Sequence, residues 1–376
     1  MRVLHVITGL AAGGAEQQLA SLLEHTRHDA HVVTMYAAGL MAERIRSLGV
    51  PVRDLGRPHQ LDPRALADLV AIMRRGRYDV VHTHLYRACL YGRVAARSAG
   101  VPAVVATEHS LGDTQIEGRP TTWLVRRLYL AAERLGDRTI AVSPAARRRL
   151  VAWGVPEQRI TVIPNGVDVQ RYAFSPQARR RERAALRIGE HEVVIGTVGR
   201  LHPIKRLDHL LAAAAEPLRS TPARVVIVGG GEREHALRAQ AAELGIAARV
   251  DFLGERADVA ALLSAFDVYA APSAEETFGL AVVEALCAGL PAVVGACPAI
   301  DDLALPGVVR ARDARTLRTA LARMVRDVRE GPARPRVAPP AIIDRMAIGR
   351  VADMTDQLYQ YVGTSRRVGG EANAAT

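Results

Sequence analysis

The densest chemistry of the chain lies in Pro272-Ser273-Ala274-Glu275-Glu276-Thr277-Phe278-Gly279-Leu280-Ala281-Val282-Val283-Glu284. Seven residues separate Glu276 from Glu284, and Phe278-Gly279-Leu280 between them opens a helix. Glu276 therefore stands in the loop before that helix. The amides of Phe278, Gly279 and Leu280 form its N-terminus, where unpaired N–H groups favour a phosphate or a polar sugar edge. Glu284 falls inside the helix beside Val283, Ala285 and Leu286. A carboxylate there is costly unless strong donors, such as ribose hydroxyls, reach it. The competing reading is a buried glutamate satisfied by backbone or arginine.

A second group, Gly199-Arg200-Leu201-His202-Pro203-Ile204-Lys205, follows the apolar run Val193–Val198 directly. On a turn at a strand's carboxyl edge, Arg200 and Lys205 can clamp a diphosphate, one as a planar fork and the other as a point charge. Lys205 is the single lysine among 50 basic residues. The arginine bias itself reads as a coding background, and two solvated cations on a turn are the plain alternative. A third group is the turn Thr8–Glu16, in which Gly13 and Gly14 let backbone approach a ligand ahead of a helix N-terminus. It is not G-x-G-x-x-G, and that pattern is absent from the chain.

Histidines make the fourth group: Thr107-Glu108-His109-Ser110, and His82-Thr83-His84. His109 is a candidate for contact with a donor sugar and His84 for the acceptor side, against the alternative of satisfied structural histidines. Neither stands in an H-E-x-x-H pattern, and no D-x-D occurs to hold a divalent ion on a diphosphate. No metal and no cofactor are therefore expected, and cationic side chains take the neutralising role.

The elements that must position these groups alternate. Val3–Ile7, His31–Thr34, Val80–His82, Val104–Ala106 and Thr139–Val142 read as strands, with helices at Gln17–Leu23, Arg64–Arg74 and Trp123–Leu135. After a linker at Pro164–Asp168 and a polar, arginine-rich stretch from Ser175 to Glu192, the pattern restarts. Strands are predicted at Val193–Val198, Arg224–Val228, Val250–Leu253, Val268–Ala271 and Ala292–Val294. Helices at Leu207–Glu216, Glu232–Leu244, Ala257–Ala265 and Leu280–Ala288 separate them. Such alternation predicts an α/β fold of two doubly wound, Rossmann-like domains, with ligands at the carboxyl ends of the strands in a central cleft. The domains are placed at 1–168 and 175–340, with a helix over 341–362 and a mobile tail over 363–376. Gly331–Pro340, with four prolines, reads as a loop.

Length and composition agree with two globular domains: 376 residues, 49% hydrophobic and 24% charged. Aromatics at 4% argue against base stacking along a nucleic-acid strand, and no nucleic-acid motif occurs. The net charge of +11 is spread along the chain, which leaves a phosphate-bearing substrate and a weak peripheral contact with acidic lipid as its uses. No apolar run approaches a membrane span, and Met1–Ile7 reads straight into a strand. Cys89, Cys287 and Cys297 lack C-x-x-C spacing and read as reduced core residues. A cytoplasmic protein, at most peripheral at the inner face of the membrane, is expected.

Taken together, these motifs resemble the GT-B glycosyltransferases of family 4. The resemblance is carried by the E-x7-E at Glu276 and Glu284, by G-R-L-x-x-x-K at Gly199–Lys205, and by G-G-A-E at Gly13–Glu16. Val142-Ser143 and the P-N-G-V-D of Pro164–Asp168 add to it, in the family's order over nearly the whole chain. It implies a retaining transfer of a hexosyl unit from a nucleotide-diphosphate sugar to an acceptor hydroxyl, by a front-face path without metal. Arg200 and Lys205 would bind the diphosphate, Glu284 the ribose, and Glu276 the sugar hydroxyls with the amides of Phe278, Gly279 and Leu280. His109 would touch the sugar, Gly13-Gly14 would close over the substrates, backbone near Leu253-Gly254 would read the base, and the C-terminal helix would pack on the first domain. The donor implied is of the UDP-glucose or UDP-GlcNAc type, with GDP-mannose the alternative, and the acceptor a lipid-linked saccharide or a small molecule. One departure stands at Gly295–Asp302, where the family often places Gly-Gly and Glu. A nucleotide-sugar epimerase or isomerase on the same architecture is the runner-up, disfavoured by the E-x7-E pattern.

Overall fold

The computed structural model describes residues 1–11, 13–59, 61–112, 115–117, 119–331, 336–337 and 339–374, with no side-chain description for Arg119 or 365–374. Much of the expected loop 331–340, together with Ala12, Ala375 and Thr376, lies outside the described residues.

The chain forms two compact units, Met1–Gly166 with Met346–Thr376, and Val167–Arg345. In chain order the first contains β1 (Arg2–Ile7), α1 (Gly14–His25), β2 (Asp29–Thr34), α2 (Leu40–Ser47), β3 (Val52–Asp54), α3 (Pro63–Gly76), β4 (Val80–His84) and α4 (Tyr86–Ala99). It continues with β5 (Ala103–Glu108), the short pair β6 (Gln115–Ile116) and β7 (Arg119–Pro120), α5 (Trp123–Glu133), β8 (Arg138–Ala141), α6 (Pro144–Trp153) and β9 (Ile160–Val162). The second unit contains α7 (Pro176–Ala185), β10 (Val193–Val198), α8 (Leu207–Ser220), β11 (Ala223–Val228), α9 (Glu234–Glu243), β12 (Val250–Phe252), α10 (Val259–Ala265), β13 (Val268–Ala271), α11 (Leu280–Cys287), β14 (Ala292–Val294), β15 (Val308–Arg310) and α12 (Ala314–Glu330). The last helix, α13 (Ile348–Ala374), belongs to the first unit.

Both main sheets are parallel throughout and share one winding: β3-β2-β1-β4-β5-β8-β9 in the first unit and β12-β11-β10-β13-β14-β15 in the second. Helices cover both faces, which is why the central strands are near-continuous Val, Ile and Ala runs with almost no exposure. Strand order reverses between β1 and β4 and again between β10 and β13. In such sheets the crevice outside those carboxyl ends is the natural ligand position within each unit.

Elements absent from the sequence reading are α2, α4, α6, α7, α12 and the short strands β3, β6, β7, β9 and β15, and β4 and α13 extend further than expected. The arginine-rich stretch after Ser175 contains α7, capped by Ser175 Oγ accepting from the Ala178 amide. Its arginines serve the interior: Arg179 and Arg183 hold Asp267 at 2.6 and 3.2 Å, and Asp267 also accepts from the Val194 amide. His82, Thr83 and His84 lie within β4 and do not follow it. The final helix runs past 362 to Ala374, where a tail was expected, with Thr364 Oγ1 donating to the Gln360 carbonyl one turn back.

Helix α13 docks on the first unit through Val351, Leu358, Tyr359 and Val362, against Val3, Val80 and Val105. The chain leaves that unit beside the point where it returns: a Cβ on Gly166 would sit 2.9 Å from the Ile348 Cα. Only glycine permits that approach.

Candidate functional site

In the second unit, the loops after β10 and β13 meet at the switch point. Gly199 leaves β10 with φ 151, and the Ala274 amide donates to the Ile204 carbonyl at 2.8 Å, tying one loop to the other. Lys205 ends a single 3-10 turn, Pro203–Lys205, opened by the His202 imidazole accepting from the Ile204 amide. Lys205 Nζ then lies 2.5 Å from Glu276 Oε1, 71 residues further on. Arg200 is exposed on the same loop.

Gly279 caps α11 in the left-handed region at φ 95, and a Cβ there would fall 2.4 Å from Cys297 Sγ. The thiol is buried over the carbonyls of Phe278 and Gly279, at 3.5 and 3.8 Å. The departing segment Gly295–Asp302 thus packs against the E-x7-E turn from behind: the Ala296 amide donates to Ser273 and the Ala299 amide to Phe278. A small buried thiol fills the space under the glycine.

Glu284 is 6% exposed in α11. Burial pushes its carboxyl up to about 7, against the opposing pull of a Tyr172 hydrogen bond and the Arg171 charge. Those two residues were not singled out in the sequence, since nothing in Arg171-Tyr172 forms a pattern. Tyr269, buried in β13 with its hydroxyl 3.4 Å from the Val198 carbonyl, feels both Glu276 and Glu284. Both carboxylates therefore act on the same buried side chain of β13. Leu253 and Gly254 are held by backbone bonds within the unit: the Leu253 amide donates to Ile227 and the Gly254 carbonyl accepts from Gly229 at 2.7 Å.

In the first unit, the glycine turn after β1 places Gly13 as the N-cap of α1 and Gly14 as its first residue. A Cβ on Gly13 would meet the Glu16 carboxylate, whereas Gly14 has nothing within 4 Å of that position. The parallel register sets His5 opposite His82, and His84 lies two residues on along the same strand. His5 Nδ1 is 3.1 Å from His84 Nε2, and His84 Nδ1 is 3.2 Å from His109 Nε2. Asn165 faces His109 from the linker. A cavity of about 30 Å³ opens beside these imidazoles, lined also by Gln18 and Thr107. That is room for about one water.

Burial holds all four imidazoles neutral, His5 near 3 and His109 near 4, with His82 and His84 well below the ordinary histidine value. His84 is 2% exposed and lines the cavity, with its nitrogens facing His5 and His109. His5 was not anticipated, because its chemistry appears only once β1 and β4 are paired. His5, His82 and His84 bring nitrogens within 4.8 Å of one another, the one such group of possible metal ligands among the described residues. The nitrogens of His82 are already taken, by Tyr359 Oη at 2.6 Å and Thr107 Oγ1 at 2.7 Å. With no carboxylate or thiolate in the group, a divalent ion there would be buried without compensating charge.

Two family models cover most of the chain: Glycosyltransferase Family 4 over residues 12–171 and Glycosyl transferases group 1 over 178–336. The D-inositol 3-phosphate glycosyltransferase of Nocardia farcinica (strain IFM 10152) is 34% identical over 303 residues, 74% of this chain. The UDP-Gal:alpha-D-GlcNAc-diphosphoundecaprenol alpha-1,3-galactosyltransferase of Escherichia coli is 32% identical over 238 residues, 62% of this chain. The matched regions span 66% and 62% of those two proteins, just under two-thirds of their own length. Among solved structures, Anabaena Alr3699/HepE in complex with UDP and glucose superposes with a TM-score of 0.85 at 22% identity, covering 96% of this chain and all of that one. The shared fold is GT-B.

Proposed function

We propose that this chain, which belongs to glycosyltransferase family 4, transfers a hexosyl unit from a nucleotide-diphosphate sugar to an acceptor hydroxyl with retention and without metal. The observation that carries the reading is the pairing of Lys205 with Glu276 at the β10–β13 switch point, beside a buried Glu284 that has few donors of its own. A pyrophosphate would draw Lys205 away from Glu276 and, with Arg200, supply the positive charge that a divalent ion supplies elsewhere. Glu276, released, accepts from sugar hydroxyls while the amides of Phe278, Gly279 and Leu280 donate. Glu284 accepts from the ribose hydroxyls, a partner strong enough to hold it ionised.

The bond between the anomeric carbon and the phosphate oxygen breaks toward an oxocarbenium-like state. The acceptor oxygen bonds to that carbon on the same face, and its proton passes to the leaving phosphate. Arg200 and Lys205, once drawn onto that phosphate, stabilise the charge as it develops, which is the larger part of the rate enhancement assigned to this protein. His109 is assigned the hydroxyl end of the sugar, held in orientation by His84 and Asn165.

A UDP-hexose is favoured as donor, since the E. coli relative is named for UDP-Gal and the Anabaena structure holds UDP and glucose. The same relative's diphosphoundecaprenol substrate favours a lipid-linked saccharide as acceptor. The test is nucleotide release from a panel of UDP- and GDP-sugars in EDTA. Lys205→Ala is expected to fold normally and lose roughly a hundredfold or more in turnover. Wild-type turnover by that variant removes the clamp; release only with a divalent ion removes metal independence; product without acceptor consumption favours an epimerase.

A further inference from the structure

Among the described residues, no helix is long and apolar enough to cross a membrane. Yet one short helix turns large apolar side chains outward. Trp123 is 70% exposed, Leu124 51% and Leu128 48%, all on α5. The opposite side of α5 is satisfied by the protein: Tyr129 and Ala132 are buried, and the buried carboxylate of Glu133, the only acid in the helix, meets Arg159 at 3.0 Å. At helical spacing the outward arc reads Trp123, Leu124, Arg127, Leu128, Ala131, and then Arg134 just past the last turn. Arg127 stands over the Trp123 ring at 5.8 Å. An ordinary solvated face mixes both signs of charge; this one carries no acid.

The neighbouring helix extends the pattern. Arg126 donates to the carbonyls of Trp153 and Ala152 at 2.7 and 3.0 Å, fixing α6 beside α5 and leaving Val151 41% exposed. Between Arg119 and Arg149 stand eight arginines against two acids, Glu133 and Asp137. Arg97 holds Asp137 at 2.9 Å, so both acids are neutralised by partners within the protein.

We propose that the outward face of α5, with the adjoining end of α6, docks on an anionic lipid bilayer. At 11 residues α5 is too short to span and lies in the interface plane. Tryptophan settles at the headgroup boundary, leucines enter the acyl region, and arginines meet lipid phosphates. Excess positive charge around an exposed apolar strip, with the one exposed acid just past α6, Glu157, paired to Arg147, selects an acidic lipid surface over a protein partner or a second copy of the chain, which this face would repel. The proposal deepens the reading above by naming where the chain meets a membrane-held acceptor; it depends on that reading only for this purpose.

The test uses the full chain with no donor present, so its outcome is separate from that of the transferase assay. Sedimentation with phosphatidylglycerol–phosphatidylcholine vesicles is expected to capture the protein, with phosphatidylcholine alone capturing little. Trp123 and Trp153 are the two tryptophans, and Trp153 is buried, so bilayer-embedded quenchers report on Trp123. Trp123→Ser/Leu124→Ser/Leu128→Ser and Arg127→Gln/Arg134→Gln are each expected to lower partitioning roughly tenfold or more, with an unchanged melting curve. No capture, equal capture by these variants, or an unquenched Trp123 overturns the proposal. So does a dimer in sedimentation velocity that the triple-serine variant dissolves, since α5 would then be covered by a second copy.

Discussion

Replacing Glu284 with glutamine isolates one term in the stability of the second unit. The carboxyl sits near 4.5 in an unfolded chain and about 7 in the folded one, with burial the dominant cause. That difference corresponds to about 3 kcal/mol between charged and neutral forms, as an order of magnitude. Because the folded value is raised, the contribution is intact below pH 4.5 and is lost as pH rises through 7. Wild type and Glu284→Gln should therefore melt together near pH 4 to 5, and the variant should melt roughly 5–10 °C higher by pH 8. The same residue predicts a proton count. Ribose hydroxyls favour the ionised form, so UDP binding at pH 7 should release more protons from the wild type than from the variant, the terminal phosphate's own release being common to both, read by calorimetry in buffers of different ionisation enthalpy. The variant should also bind UDP more weakly, gaining stability where it loses function. A melting difference that does not change with pH, or equal proton release by both proteins, would refute the burial argument.

The histidine cluster gives the opposite slope. His5 and His109 have folded values lowered to about 3 and 4, so their contribution is present above 6.5 and lost as pH falls below it. Acidification from pH 7 to 5 should weaken the first unit while Glu284 strengthens the second, separating two melting transitions in calorimetry; parallel shifts would contradict this. Gly279→Ala forces a left-handed φ and a clash with Cys297, and should destabilise by at least about 1 kcal/mol in denaturant titration. Gly14→Ala meets empty space and should leave the unliganded melting curve unmoved. Loss of turnover in that variant then locates ligand approach at the first turn of α1, whereas full turnover takes the glycine out of the site.

Long apolar strands were legible from sequence because burial on both faces leaves continuous Val, Ile and Ala runs, whereas helices α2, α4, α6 and α12 were not read. The edge strands β3, β9 and β15 were not, although β12, an edge strand of the same length, was. Helix α7 was hidden because its inward arginines serve Asp267, so charge marks an interior face that hydropathy assigns to solvent. The residues of the second unit's site stood out through spacing along one or two loops. Tyr172 and His5 did not, since each becomes chemically meaningful only through partners more than 70 residues away.

Lys205 carries a consequence beyond electrostatics. Arginine does not react with amine-directed acylating reagents under mild conditions, so the chain offers them a single side-chain amine, besides the terminal one. That amine is paired to Glu276 at the proposed donor position. An activated ester therefore has one side-chain target in the molecule, and protection of Lys205 by a nucleotide, read by peptide mapping apart from the terminal amine, would measure occupancy of that position without mutating anything.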